Sequence, residues 1–306
     1  MTDTTLAGAG AAPAGEPLAD GVLVGAAGHV PAVPRRRRAA LLHGRGLAGL
    51  ILVAAVILAG VAAPLLAPYS PLAQISHANL LGPSWHHLFG TDEVDRDVFS
   101  RTLYGIRVDT LIIFIAVPIG AVLGSLAGVI ASQAVAADVI AQRVFDVLLA
   151  FPALILAIGL TAITGPGAVP IGCVVVALEL PLYGRLVRTA TLKVRELPFV
   201  KAAEAMGASR SWVLRRHVLP NVAEPVLVQL ALSMSGAVFI DSAMNFIGIG
   251  IRPPTPSLGS VLAASVANLN SNPMYAVGPL TVIAVLVLGF QLIAQALTAG
   301  RRRAGI

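Results

Sequence analysis

The sequence predicts an all-α integral membrane protein with six spans, and three observations carry that prediction. Of 306 residues, 57% are hydrophobic and only 12% are Asp, Glu, Lys or Arg, about half the charged share of an ordinary soluble domain. The mean hydropathy is +0.85. Six apolar runs lie near residues 46–67, 108–131, 142–164, 168–190, 222–247 and 276–299. Each is long enough to cross a hydrocarbon core about 30 Å thick. No run alternates apolar and polar residues with a period of two, so nothing points to a β-barrel.

The elements follow in order. Residues 1–45 read as a cytoplasmic tail. Its first 34 residues are rich in Ala, Gly and Pro without helical or strand period, the pattern of disorder, and Arg35–Arg38 form a basic run. A cleaved signal peptide is the alternative, but the distance from Met1 and the length of the following apolar run favour an uncleaved first span. The remaining spans carry many Gly and Pro residues, among them Pro118, Gly120, Gly124, Gly128, Pro152, Pro181, Gly236, Gly248 and Gly250. Such residues are tolerated where neighbouring helices satisfy the freed backbone groups and small side chains allow close approach. The spans thus form one permease domain over residues 46–300, followed by a basic tail at 301–306. With six spans and a cytoplasmic amino terminus, 17 of the 21 Lys and Arg residues fall on the cytoplasmic side, the positive-inside distribution. The other four are Arg96, Arg101, Arg107 and Arg252. The net charge of +6 therefore suits anionic lipid. It does not suit nucleic acid, because the basic residues are split among loops and no aromatic platform is interleaved. Cys173 is the single cysteine, so no internal disulfide or Cys-rich metal site exists.

Between the fourth and fifth spans lies a polar, basic arm, residues 191–221. A short helix is expected to end near Gly207, a second to run to His217, and Pro220 to open the next span. Ala202, Ala203 and Ala205 favour helix and leave a thin, smooth surface. Gly207 permits the sharp turn between the helices because it alone takes positive φ without strain. Arg215, Arg216 and His217 can face lipid phosphates or hold the arm against the ends of the spans. An ordinary amphipathic loop lying at the headgroups is the competing reading of the arm by itself.

The arm resembles the "EAA" loop of ABC importer permeases. Gly90-Thr-Asp-Glu-Val-Asp-Arg-Asp-Val-Phe-Ser-Arg-Thr-Leu-Tyr-Gly-Ile-Arg107 resembles the segment before the second span in the dipeptide/oligopeptide/nickel permease family. Asp146-Val-Leu-Leu-Ala-Phe-Pro-Ala153 and Phe246-Ile-Gly-Ile-Gly-Ile-Arg-Pro-Pro-Thr-Pro-Ser-Leu-Gly259 are similar to further segments of that family. The motifs recur in family order over residues 40–300, in the order of the C-type subunit. The resemblance implies a type I ABC importer permease fold with a cytoplasmic coupling helix, in a bacterial plasma membrane. It implies a homologous second permease, two ATP-binding subunits that carry ATP and Mg²⁺, and an external substrate-binding protein. It places Lys201, Ala202, Ala203, Glu204, Gly207, Ala208 and Ser209 at the ATPase contact, with Arg215, Arg216, His217 and Pro220 anchoring the arm. Lys201 departs from the family, which often has Glu there, so a salt bridge from it would need an acidic partner. The cargo implied is a di- or oligopeptide, with nickel chelates or other small solutes as alternatives.

The chain is not itself expected to be an enzyme. It has no G-x-x-x-x-G-K-[ST] loop, and neither Lys193 nor Lys201 follows a glycine. No cofactor is expected on it. Glu179, Glu224 and Asp241 fall within or near spans, where a charge costs about 2.5–3.5 kcal/mol on insertion scales and usually faces protein or water. Asp241 has an acidic counterpart in the family and reads equally as a packing group or a pathway residue. Glu179 replaces a small residue and could tune the pathway toward cationic substrates. Glu224 lies close to the arm. The outer residues His86, His87, Asp92, Glu93, Asp95 and Asp97 invite a metal reading, against which the resemblance sets an Asp–Arg-braced cap with Asp95 in place of glycine. Pro253, Pro254 and Pro256 suggest a rigid outer lip. A proton-coupled secondary transporter using Glu179 or Asp241 would leave the arm unexplained. A membrane-embedded enzyme lacks a nucleophile–base pair at membrane depth.

Overall fold

The computed structural model describes residues 42–302, and among these every regular element is helical. The Arg35–Arg38 run, nearly all of the amino-terminal tail and residues 303–306 lie outside the described residues. The helices are α1 (Arg45–Val61), α2 (Ala63–Leu66), α3 (Val98–Ala131), α4 (Val135–Ala150), α5 (Ala153–Thr164), α6 (Ala168–Arg195), α7 (Pro198–Ala205), α8 (Arg210–Val213), α9 (Leu219–Ile247), α10 (Leu258–Ser265) and α11 (Pro273–Arg302). A π-turn, Leu214–Val218, joins α8 to α9.

Helices α3, α6, α9 and α11 are long and apolar enough to cross a membrane. Their outer faces expose Leu111, Ile115, Val122, Phe239 and Leu288, a surface suited to lipid or another apolar partner and not to water. The core runs between α1, α3, α9 and α11, where Val53, Ile106, Ile113, Val117, Met234, Val238, Leu286 and Phe290 are buried together. Against α6, α3 presents Gly120, Gly124 and Gly128. A Cβ at those positions would collide with Glu179, with the Leu180 carbonyl and with the Gly184 carbonyl respectively. This small-residue stripe lets two backbones approach as they do in membrane bundles.

Helix α6 runs to Arg195, five residues into the expected arm, and α4 begins at Val135, seven residues before the expected run. Four further boundaries differ from the sequence expectation. The run 142–164 is not one straight span: α4 and α5 meet at a bend of 89°. Phe151 is extended (φ −88°, ψ 124°) ahead of Pro152, because a residue preceding proline avoids the helical region. The first run breaks at Ala62, since Pro64 cannot donate to the Gly60 carbonyl. At 17 residues, α1 is about 26 Å long. In turn, α3 begins ten residues before the apolar run does, because Asp97 caps it by accepting a hydrogen bond from Ser100 N at 2.7 Å. Finally, α11 continues through Arg302.

Candidate functional site

The arm is a folded unit with two unlike faces. Its first helix, α7, ends at Ala205, and Gly207 takes φ +85° while its N–H donates to the Glu204 carbonyl at 2.9 Å. This is the left-handed elbow expected of a glycine at a helix end. Ser209 then starts α8, its Oγ accepting from Trp212 N at 3.4 Å. The second helix does not stop at His217. It passes through the π-turn into α9, and Leu219 N donates to the Leu214 carbonyl. The wider turn accommodates Pro220, which has no N–H to give to the carbonyl four residues back.

The inner face is apolar and closed. Val200, Ala203, Val213, Val218 and Val222 are buried with Val187 and Val194 of α6. Ala203 is therefore a packing residue, facing the bundle rather than outward. On the outer face Lys201, Ala202, Glu204, Gly207, Ser209, Arg210, Arg215 and Arg216 are exposed, Ala208 is half-buried, and Met206 is 83% exposed. Arg215 and Arg216 border an open hollow with Ser209, Ser211 and Trp212. The ring of His217 lies 5.0 Å from that of Trp212 and 5.7 Å from that of Phe199. It thus bridges α7 and α8. Lys201 has its acidic partner within the chain: its Nζ meets Glu196 Oε2 at 2.6 Å, both side chains largely exposed. The hydrogen bond and charge of Lys201 hold the Glu196 carboxyl below the ordinary Glu range.

The arm's other fastenings were missed from sequence. Arg195 donates to the Ser132 carbonyl at 2.9 Å and to Gln133 Oε1 at 2.5 Å. Arg188 pairs bidentately with Asp138, and Arg185 reaches Asp146 Oδ1 at 2.6 Å. All three lock the end of α6 to α4 and the turn before it. Arginines at three- and seven-residue spacing on the last turns of α6 were the available signal, but their partners lie about 40 to 60 positions away.

The acids within the bundle fall into two separate clusters. Glu179 on α6 is buried and accepts from Ser233 Oγ of α9 at 2.5 Å, with Gln229 Nε2 donating to that hydroxyl at 3.3 Å. Asp241 on α9 is fully buried. Its Oδ1 accepts from Asn245 Nδ2 at 3.1 Å, and Asn245 Oδ1 accepts from Ile251 N at 2.6 Å. The structure does not bring Glu179 and Asp241 together. It brings Asp241 beside Asp109 of α3, an acid the sequence reading passed over although it sits one residue inside the 108–131 run. Asp109 Oδ2 accepts from Leu258 N at 2.8 Å, at the start of α10. Glu224 lies half-buried in the first turns of α9, next to the arm.

The outer acids form a braced cap. Asp92 accepts from Val94 N and Arg96 N and pairs with Arg96 Nε at 2.7 Å, with Arg101 Nε at 3.5 Å. Asp97 meets His87 Nδ1 at 2.9 Å, and the His87 ring stacks on Tyr69. Asp95 adopts φ +67°, the conformation a glycine would take more easily. Asn272 Nδ2 donates to the Phe89 carbonyl at 3.0 Å, fastening the cap to the start of α11.

Residues 120–303 match the family described as binding-protein-dependent transport system inner membrane component. The chain is 36% identical to a dipeptide transport system permease protein of Alkalihalophilus pseudofirmus, over 82% of this chain and 83% of that one. It is 36% identical to a di/tripeptide transport system permease protein of Pseudomonas aeruginosa, over 73% and 76%. A probable D,D-dipeptide transport system permease protein of Escherichia coli shares 34% identity, over 79% and 82%. Among solved structures, a chain of the MetNI methionine ABC transporter in an inward-facing form superposes with a TM-score of 0.54. At 18% identity, over 65% of this chain and 96% of that one, this likeness speaks for the fold alone.

Proposed function

The chain belongs to the family of binding-protein-dependent transport system inner membrane components and is a permease subunit of an ABC importer, and from that premise we propose how it works and what it carries. It forms half of a channel with a homologous second permease, in a bacterial plasma membrane with both termini in the cytoplasm. Six crossings are formed by α1, α3, the bent α4–α5 pair, α6, α9 and α11. Two ATP-binding subunits hold ATP and Mg²⁺ and supply the hydrolysis; this chain binds neither. An external binding protein delivers the cargo to the outer lip.

The observation that carries the reading is the two-faced arm: a sealed apolar underside fixed to α6, and an exposed upper side around the Gly207 elbow. A rigid lever of this kind transmits force because its inner face cannot slip. Closure of the ATPases pushes α7, and the end of α6 moves with it through Val200, Ala203, Val213 and Val218. The spans then rock between outward and inward openings, the motion by which helical repeats alternate access. Lys201, Ala202, Glu204, Gly207, Ala208 and Ser209 form or shape the contact, while Arg215, Arg216, His217 and Pro220 set its angle. Glu179 and Asp241 are candidates for the pathway wall.

The cargo is a di- or oligopeptide, a reading supported by three relatives that carry dipeptide or tripeptide transport in their names. The test is reconstitution with the second permease, the ATP-binding subunits and the binding protein. Binding protein loaded with dipeptide is expected to raise ATP hydrolysis at least tenfold, while the purified chain alone hydrolyses none. Stimulation by a nickel chelate and not by peptides would replace the substrate class. Uptake driven by a proton gradient without ATP would remove the coupling role of the arm.

A further inference from the structure

Asp109 and Asp241 are two buried acids that share one arrangement. Each uses one carboxylate oxygen to accept a hydrogen bond, from Leu258 N and from Asn245 Nδ2 respectively. The other oxygen, Asp109 Oδ1 or Asp241 Oδ2, is buried with no hydrogen-bond partner. Ser242 Oγ beside them is also buried and unpartnered. All three residues line one cavity of about 10 Å³, together with Ile113, Phe114, Leu258 and Phe290, which is room for one water-sized occupant. Burying two like carboxylates in an apolar bundle without a counter-charge is strongly unfavourable. No Lys, Arg or His lines the cavity. Around it, α3 offers only Arg107, which is exposed, and Arg101, which is held by Asp92. Helix α6 offers Glu179, bonded to Ser233. Tyr275 of α11 is bonded to Glu93, and α10 carries no charge.

We propose that Asp109, Asp241 and Ser242 hold one monovalent cation between α3, α9 and the start of α10, either a proton carried by one of the two carboxyls or a sodium ion. The donor set is all oxygen, the set that hard cations prefer. Three unpartnered oxygens suit a sodium ion that takes a few oxygens, or a proton that one carboxyl carries and donates to its neighbour. A calcium ion, which takes six to eight oxygens, finds too few here, since two of the four carboxylate oxygens already accept N–H bonds. The site also joins three elements. Asp109 bonds the first residue of α10, and Asp241 reaches the loop after α9 through Asn245 and Ile251. Occupancy therefore tightens the outer end of the bundle independently of the cargo.

The test follows thermal unfolding of the full chain in its assembled complex. NaCl replaces choline chloride at constant ionic strength, and in a second series pH is varied without sodium. The midpoint is expected to rise by about 3 °C for each tenfold increase in the ion that binds. That response should vanish in the Asp109→Asn/Asp241→Asn double variant, which keeps side-chain volume and the capacity to accept from Leu258 N. Sodium dependence assigns the metal ion; dependence on pH alone assigns the proton. Should the double variant fail to assemble, the parent protein decides, by equilibrium dialysis with radioactive sodium and by the infrared band of a protonated carboxyl in a Glu179→Gln background. The proposal is overturned by a response that the double variant retains in full. It is equally overturned by stabilisation with calcium or magnesium alone, or by a parent protein that binds no sodium and shows no protonated carboxyl.

Discussion

The cap at residues 68–97 and the arm at 196–218 are both polar segments set on the same apolar bundle, yet they dispose of their polar groups in opposite ways. In the cap the buried charges pair with one another, Asp92 with Arg96 and Arg101, Asp97 with His87 and the first turn of α3, while Glu93, His86 and Trp85 stay exposed. In the arm the valines are turned inward, and Lys201, Glu204, Arg210, Arg215 and Arg216 stay exposed with Met206 and Trp212. A segment whose buried charges pair with one another is braced from within. One that keeps apolar and charged groups exposed over a rigid base is prepared for contact. The cap is a brace; in the function proposed above, the arm is an interface.

This contrast is broken or sharpened by substitution. The largest effect is expected in the cap. Asp92→Ala strands the buried Arg101 guanidinium and should cost about 3–5 kcal/mol of stability, read as a drop in the unfolding midpoint and in the yield of folded protein. A cap that tolerates this change with stability intact would not be a brace. In the arm the expected effect is on coupling. Gly207→Pro forces φ from +85° to about −65° and removes the N–H bond to Glu204. Peptide-stimulated ATP hydrolysis by the assembled transporter should fall at least tenfold, while the bundle still folds. Normal stimulation in this variant would detach the elbow from the function. The smallest effect concerns Lys201 and Glu196. Because the Glu196 carboxyl is held below its ordinary value, the pair's contribution is fully present above the ordinary Glu pKa and is lost as pH falls through the lowered folded value. No change between pH 8 and pH 6 should therefore trace to this exposed pair, as Lys201→Ala and the parent protein compared over that range would show.

Much of this was legible in the sequence. Membrane class followed from composition, and the elbow from a glycine closing an alanine-rich helix. The bracing of the cap by Asp–Arg pairs was readable from the family-like segment around Asp92 and Arg96. What escaped lay where a local rule competed with hydropathy, or where the partner was distant. The start of α3 was hidden because Arg101 and Arg107 look like loop residues, whereas the Asp97 cap and the Asp92 brace make them helical. The 89° bend was hidden because Pro152 resembles the prolines that α3, α6, α9 and α11 absorb without breaking. Ala203 was read as surface because alanine carries no sign of which face it takes. Asp109 could not be given a role from sequence, since its partner Leu258 is 149 positions away.

The central claim is that the arm's exposed elbow meets an ATP-hydrolysing subunit. Cysteine cross-linking tests it most directly, with Met206→Cys in a Cys173→Ser background so that the chain's single native thiol cannot react. In the assembled, transporting complex the introduced thiol should cross-link to the ATP-binding subunit, and the link should stop peptide-stimulated hydrolysis. A working complex in which that thiol stays open to solvent reagents through the whole ATP cycle, and links to no ATP-binding subunit, would contradict the account.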